Sequence, residues 1–317
     1  MECFDPWNQA NSGCPGTPPA AVQMKNPLYT MPPDPNLSFG RQLGRSQTSI
    51  VYLAQNHVLE QQTVVKICLK PVNEGVQDEQ IEIWEQELKI GEHLGEHRNL
   101  VRYFRGWKSG AHLCLEMEPC LGGTLEELIK ACHPPGMEEA VFWRVVRDLG
   151  MGLQHMHSRG TVHFDVKPEN IFIDNNSCTL KIGDFGNAVN LAEPTERFQE
   201  GDGRYLAPEL LHTGATATFA ADMFSLGAVL YMCATGTILP RNHLDHCEEL
   251  ARFPIISKLL ARDPSARPRV EEVVCLAQDN VGAGAVMKPE PNSAESSYQE
   301  LLRSAAKPQP SSRRSLF

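Results

Sequence analysis

The sequence predicts an α+β fold, in which a small lobe built on an antiparallel β-sheet with one helix precedes a larger, mainly α-helical lobe. Three observations predict it. Between residues 37 and 70, β-branched and apolar residues come in short runs separated by turn-like breaks. One segment of helical period follows, and from Met137 onward helical spacing of apolar residues dominates.

The elements follow in order. "LSFGRQLG", "SIVYLAQNHV" and "QTVVKICLK" read as three strands, and "DEQIEIWEQELKIGEHL" as the helix of the small lobe. "LVRYFRGWKSGAHLCLEMEPC" reads as two further strands around a Lys-Ser-Gly turn. "MEEAVFWRVVRDLGMGLQHMHS" opens the helical lobe. The most apolar run, "FSLGAVLYMCATGTILP", is short, follows Asp222 and ends in Gly and Pro, so it predicts a buried helix and no membrane span. Residues 37–278 form the patterned domain. Residues 1–36 hold eight prolines with little periodicity and read as disordered. Residues 279–317 return to Pro, Ser, Gly and charge, with one short helix expected near 293–306.

Charge narrows the partners. With 29 basic and 39 acidic residues the net charge is -10, which argues against nucleic acid. Ten cysteines occur without a Cys-x-x-Cys pair, and "MECFDPWNQA" lacks the basic start and apolar run of a signal peptide. A reducing compartment is expected, with Cys68, Cys114 and Cys233 as small buried apolar residues. His243, His246 and Cys247 lack a second ligand pair nearby and read as ordinary surface residues.

The stretch "VHFDVKPENIFI", residues 162–173, sets Asp165, Lys167 and Asn170 between apolar anchors. Phosphoryl transfer needs a carboxylate to orient and accept the proton of the attacking hydroxyl. It also needs positive charge near the transferring group and oxygen ligands for magnesium. One loop here offers all three, with Asp165 and Lys167 as catalytic candidates and Asn170 as a metal ligand. "KIGDFG" supplies a second metal ligand in Asp184, Lys66 in "VVK" suits the α and β phosphates of ATP, and Glu87 on the helix suits the fixing of that lysine. Each residue alone reads as a solvated charge. Their ordered combination with "APE" (Ala207 to Glu209) does not arise easily by chance.

From about Leu37 to about Gln278 the chain resembles the eukaryotic protein kinase family, which implies the bilobal protein-kinase fold, with ATP and Mg2+ as cofactors. The resemblance makes Gly44 and Val51 ATP-binding residues. It places Met117 at the back of the adenine pocket, and Glu118, Pro119 and Cys120 in the hinge that bonds adenine. It makes Asp222 the brace of the catalytic loop and Arg267 the partner of Glu209. Within the family, "VRYFRGW", "EGDGRYLAPELL", "LPRN" and "HFDVKPENIFI" are similar to the Wee and Myt kinases; "DFG" and "RYLAPE" lean toward Myt, "LPRN" and the absence of a downstream membrane anchor lean toward Wee, and a Wee-like kinase is expected. That implies phosphorylation, mainly on tyrosine, of the Gly-rich loop of a cyclin-dependent kinase, a role in delaying mitosis, and residence in the nucleus, with the cytoplasm open.

Phe164 stands where many kinases carry the arginine that pairs with a phosphorylated activation loop, and Thr195 is the one Ser or Thr between Asp184 and Tyr205. Activity independent of activation-loop phosphorylation is therefore expected. Two features depart from the family pattern. Ser46 and Ser49 replace the second and third glycines of the Gly-rich loop, and the segment after "LPRN" is short. Two other readings stay open: a pseudokinase that binds without catalysis, and a Ser/Thr kinase resembling those of the initiation factor two alpha subunit. At the C-terminus, Arg314, Leu316 and Phe317 form an Arg-x-Leu-apolar pattern expected to dock on the cyclin of a cyclin–kinase substrate. Thr17-Pro18 is a minimal proline-directed phosphosite.

Overall fold

The computed structural model describes residues 34–71, 79–132, 135–193, 202–211, 218–240 and 251–283. The expected disordered N-terminus lies almost wholly outside these residues. So do the tail helix, the Arg314–Phe317 pattern, Thr17, Thr195, the end of "LPRN" and the His243–Cys247 cluster. The chain divides into two compact units, one of residues up to Gly95 with Arg102–Pro119, the other of Glu96–Val101 with residues from Cys120 on.

Among the described residues the first unit is a five-stranded antiparallel sheet in the order β1-β2-β3-β5-β4, with one helix. Its strands are β1 (Leu37–Arg45), β2 (Ser49–Asn56), β3 (Gln61–Cys68), β4 (Tyr103–Ser109) and β5 (His112–Met117), and its helix is α1 (Glu79–Leu94). Period-two alternation divides the work of the sheet. Ile50, Ala54, Val65, Ile67, Trp107 and Cys114 form an apolar cluster on one face. Lys66, between Val65 and Ile67, therefore points to the other.

Glu116 is opposite Val65 in the register, so its carboxylate falls on the apolar side and is fully buried. It pairs there with Arg105 Nε at 2.7 Å and accepts a hydrogen bond from Asn56 Nδ2 at 2.7 Å. Arg105 also reaches Asp34 at 2.8 Å and lies over the Trp107 ring. A buried carboxylate costs several kcal/mol unless paired and hydrogen-bonded, and this network supplies both. The expected buried thiols are found. Cys68, Cys114 and Cys233 are buried, and desolvation pushes the Cys114 thiol up to about 12.

The second unit is built on α3 (Glu139–Ser158), whose buried Phe142, Val145, Val146, Leu149, Leu153 and Met156 repeat at helical spacing. Phe142 stacks on Phe253 with ring centroids 3.9 Å apart. The unit also holds α2 (Leu125–Ala131), α4 (Phe219–Thr235), α5 (Pro254–Leu259) and α6 (Val270–Ala283), of which α4 and α6 pack on α3. Thr124 and Glu127 form a capping box that starts α2, satisfying two orphan N–H groups reciprocally. The apolar run in α4 is a buried helix, as its sequence requires, ending at Gly236 in the left-handed conformation. Among the described residues no helix is long and apolar enough to cross a membrane.

Two short ribbons depart from the helical reading of this unit: β6 (Thr161–Val162) with β9 (Val189–Asn190), and β7 (Ile171–Asp174) with β8 (Thr179–Ile182). Such brief pairings leave no periodic signal. The last helix also runs past Gln278 to Ala283, where Asn280 Nδ2 donates to the Leu276 carbonyl.

Candidate active site

In the first unit, strand register aligns the residues expected at the nucleotide. Gly44 pairs with Val51, Val51 with Lys66, and Lys66 with Leu115, one transverse row across four strands. Directly opposed residues share a face, so Val51 and Lys66 stand side by side with Gly44 at the end of the row. Met117, two residues beyond Leu115, shares that face and is buried. Gly44 has an ordinary φ, and an added Cβ would meet nothing within 4 Å. Neither backbone nor packing demands a glycine there, which fits a position kept clear for a ligand.

Lys66 Nζ donates to both carboxylate oxygens of Glu87 at 2.9 Å. Glu87 is almost wholly buried and also accepts from the Tyr103 hydroxyl at 2.7 Å. Gly91 makes that contact possible, since a Cβ there would lie 2.6 Å from Tyr103 Cγ. The helix approaches β4 closely enough for the tyrosine to steady the carboxylate that steadies the lysine. Glu118, in the expected hinge, accepts from the Arg102 N–H at 2.7 Å, and its own N–H donates to the Arg102 carbonyl at 2.9 Å. Cys120 is half-buried at the start of the second unit.

In the second unit the opening motif forms one hydrogen-bonded cluster. Asp165 Oδ2 accepts from Lys167 Nζ at 2.7 Å and from Asn170 Nδ2 at 2.9 Å. Asn170 Nδ2 also donates to the Asp165 carbonyl at 3.0 Å. Asp222 holds the loop from below. Its fully buried carboxylate accepts the N–H groups of His163 and Phe164 and bonds His157 Nε2, each at 2.9 Å. Phe164 sits at φ 62°, a conformation costly for a bulky residue, which Asp222 pins from both sides of the peptide. Glu209 and Arg267 form the expected bidentate pair, 2.5 Å and 2.8 Å.

The Gly183 N–H donates to the Asn170 carbonyl at 3.0 Å, which ties the "DFG" segment to the catalytic loop. His163 Nε2 meets the Gly183 carbonyl at 3.1 Å, and its ring packs edge-on to the buried Phe185. Asp184 itself takes φ 62°. Asn170 and Asp184 offer hard oxygen donors, the chemistry magnesium takes, and two protein ligands suit an ion that keeps water and phosphate in its shell. Among the described residues no group of three or more His, Cys, Asp or Glu gathers as a conventional metal cage.

Besides the Tyr103 hydroxyl, three contacts of the site were not read from the sequence. Asp165 Oδ1 accepts the Asp202 N–H at 3.0 Å. The Asp202 carboxylate binds Arg204, and Arg204 Nη2 also reaches Glu169 at 2.7 Å, beside the catalytic loop. Arg204 holds the Asp202 carboxyl below its usual range. The third is Ser46, whose hydroxyl bonds within its own loop. The "EGDGRY" string marked the first two only as family words, since its pairing with a loop some 35 residues away has no local periodicity.

A sheet-and-helix unit carrying a carboxylate-fixed lysine, and a helical unit carrying an Asp–Lys–Asn loop beside Asp-Phe-Gly, define the protein kinase class. A protein kinase domain model matches residues 37–316, and the chain belongs to that family. Within it the similarity extends to Wee1-like kinases. The chain is 31% identical over 238 residues to Wee1-like protein kinase 2-C of Xenopus laevis, covering 65% of this chain and 42% of that protein. It is 37% identical over 148 residues to the membrane-associated tyrosine- and threonine-specific cdc2-inhibitory kinase wee-1.3 of Caenorhabditis briggsae, covering 46% and 22%. A "probable protein kinase" of Dictyostelium discoideum is 35% identical over 206 residues, covering 63% and 56%. The chain thus spans from 22% to 56% of the length of these relatives.

Proposed function

We propose that the chain transfers the γ-phosphoryl group of ATP to a protein hydroxyl, with the Gly-rich-loop tyrosine of a cyclin-dependent kinase as its acceptor, and so restrains entry into mitosis. The observation that carries the chemistry is the Asp165 carboxylate, held at one oxygen by Lys167 and Asn170 and at the other by a backbone N–H. A carboxylate fixed in this way is set to orient an attacking hydroxyl and accept its proton. Lys167 offsets negative charge beside it. Lys66, fixed by Glu87, suits the α and β phosphates. Asn170 and Asp184 would hold magnesium, which would supply positive charge to offset that of the phosphates. Gly44, Val51 and Met117 would line the nucleotide, and Glu118 and Cys120 would bond adenine through their backbone.

The acceptor rests on similarity to kinases named as Wee1-like and as cdc2-inhibitory. Nuclear residence and cyclin docking through Arg314, Leu316 and Phe317 belong to the same proposal. The test incubates the full chain with magnesium ATP and both a cyclin–kinase complex and the initiation factor two alpha subunit, and maps phosphosites by mass spectrometry. Phosphate on the acceptor's Gly-rich-loop tyrosine supports the reading. Phosphate only on Ser or Thr of the initiation factor two alpha subunit, or no transfer despite binding, overturns it in favour of the other two classes.

A further inference from the structure

The turn joining β1 to β2 closes on a side chain. Ser46 Oγ accepts the N–H of Thr48 at 3.2 Å and the N–H of Ser49 at 3.0 Å. The Ser49 hydroxyl lies 3.0 Å away, sharing a hydrogen bond, and the Ser46 N–H donates to the Ser49 carbonyl at 2.8 Å. Ser46 and Thr48 are exposed, whereas Ser49 is buried. Successive backbone N–H groups converging on one point form an anion-binding concavity. In a nucleotide loop such groups reach the phosphate oxygens. In this chain the oxygen at the point of convergence is a neutral hydroxyl of the loop itself. A glycine at position 46 would leave both N–H groups to the ligand.

We infer that the Ser46 hydroxyl is an internal competitor for phosphate, occupying two loop N–H groups that a nucleoside triphosphate would draw on. The inference rests on the nucleotide reading above and deepens it. Ser46 sets the loop's affinity for the phosphate tail and leaves the adenosine end of the ligand untouched. A phosphate oxygen is the stronger acceptor and displaces the hydroxyl, but two existing hydrogen bonds must first be given up. Removing the competitor is therefore worth about three- to tenfold in ATP affinity, the scale of one ordinary hydrogen bond.

The test is calorimetric titration of the full chain with magnesium ATP and, separately, with adenosine, for wild type, Ser46→Ala and Ser46→Gly. Ser46→Ala removes the acceptor while keeping the backbone preference of an L-residue, so it isolates the hydroxyl from glycine's added freedom. The expected result is ATP binding tightened about three- to tenfold in both variants, with adenosine binding unchanged. Weaker ATP binding in Ser46→Ala would make the hydroxyl a phosphate ligand and overturn the inference. Equal ATP affinities with binding intact would overturn it alone. Failure of the wild type and both variants to bind either ligand would remove the nucleotide reading and this inference with it.

Discussion

Removal of the Asp222 carboxylate tests how the catalytic loop is held. The group is fully buried and has three partners at 2.9 Å: the His163 N–H, the Phe164 N–H and His157 Nε2. Asp222→Ala leaves two buried backbone N–H groups unpaired, at about 1–3 kcal/mol each. The desolvation cost of the charge is recovered, which offsets part of that loss. A net destabilisation of about 3–5 kcal/mol is expected from the two unpaired N–H groups and the lost His157 partner together, less the recovered desolvation. For a domain of this size, each kcal/mol lowers Tm by roughly 2–4 °C, giving a fall of about 6–20 °C. Asp222→Asn keeps the shape and one acceptor oxygen but turns an NH2 group toward an N–H donor, so it should lose about half as much. Phe164, no longer pinned at its positive φ, releases Asp165, and kcat should fall on the order of a hundredfold, as for a 1 Å misplacement of a reacting group. Thermal unfolding by circular dichroism and steady-state kinetics measure the two effects. A Tm within about 2 °C of wild type, together with unchanged kcat, would refute the bracing argument.

Three other outcomes are expected. Lys66→Met should leave the fold intact and lower phosphotransfer on the order of a hundredfold, because the phosphates lose a positioned charge; near-normal turnover in the folded variant would remove Lys66 from the site. Arg204→Met and Glu169→Gln should show a coupling of about 0.5–1 kcal/mol in a double-mutant cycle on kcat/KM, reduced by added salt, because both side chains are partly exposed; additive effects would mean the pair does not steady the Asp202 contact with Asp165. His97 stacks on His155 at 4.4 Å, and burial, with His155, Lys181 and Arg159 nearby, lowers its pKa from 6.5 to about 4. Between those values the unfolded chain takes up a proton that the folded chain refuses, so stability falls as pH drops from 6.5 toward 4; His97→Gln should make the Tm decline between pH 6.5 and 5 shallower, and an unchanged slope would contradict this.

What was legible in the sequence was chemistry held at short range. Asp165, Lys167 and Asn170 lie within six residues, and their spacing alone placed them in one loop; the structure joins all three. Lys66 and Glu87 were legible through the motif words "VVK" and "EQELKI", one in a strand pattern and one in a helix pattern, and the structure pairs them. Long-range pairing was not legible. Nothing near Glu116 announces that Arg105 will pair with it and Asn56 hydrogen-bond it, and nothing near Arg204 announces Glu169. Tyr103 looked like one more strand residue, yet its hydroxyl steadies Glu87 because Gly91 lets the helix come close. Ser46 read as a lost glycine, and its hydroxyl turned out to bond the loop's own N–H groups, a local geometry that residue identity alone does not fix.

Asp165→Asn asks whether the fixed Asp165 carboxylate carries phosphoryl transfer. The variant keeps the size of the side chain and an acceptor for the Asp202 N–H, but an amide cannot accept the proton of an attacking hydroxyl. The measurement is single-turnover transfer from radiolabelled ATP, with magnesium, to a cyclin-bound kinase, alongside ATP affinity and Tm. ATP affinity should stay close to wild type and the fold should be preserved, with transfer slowed on the order of a hundredfold or more. Transfer at near wild-type rate in the folded, ATP-binding variant would contradict it.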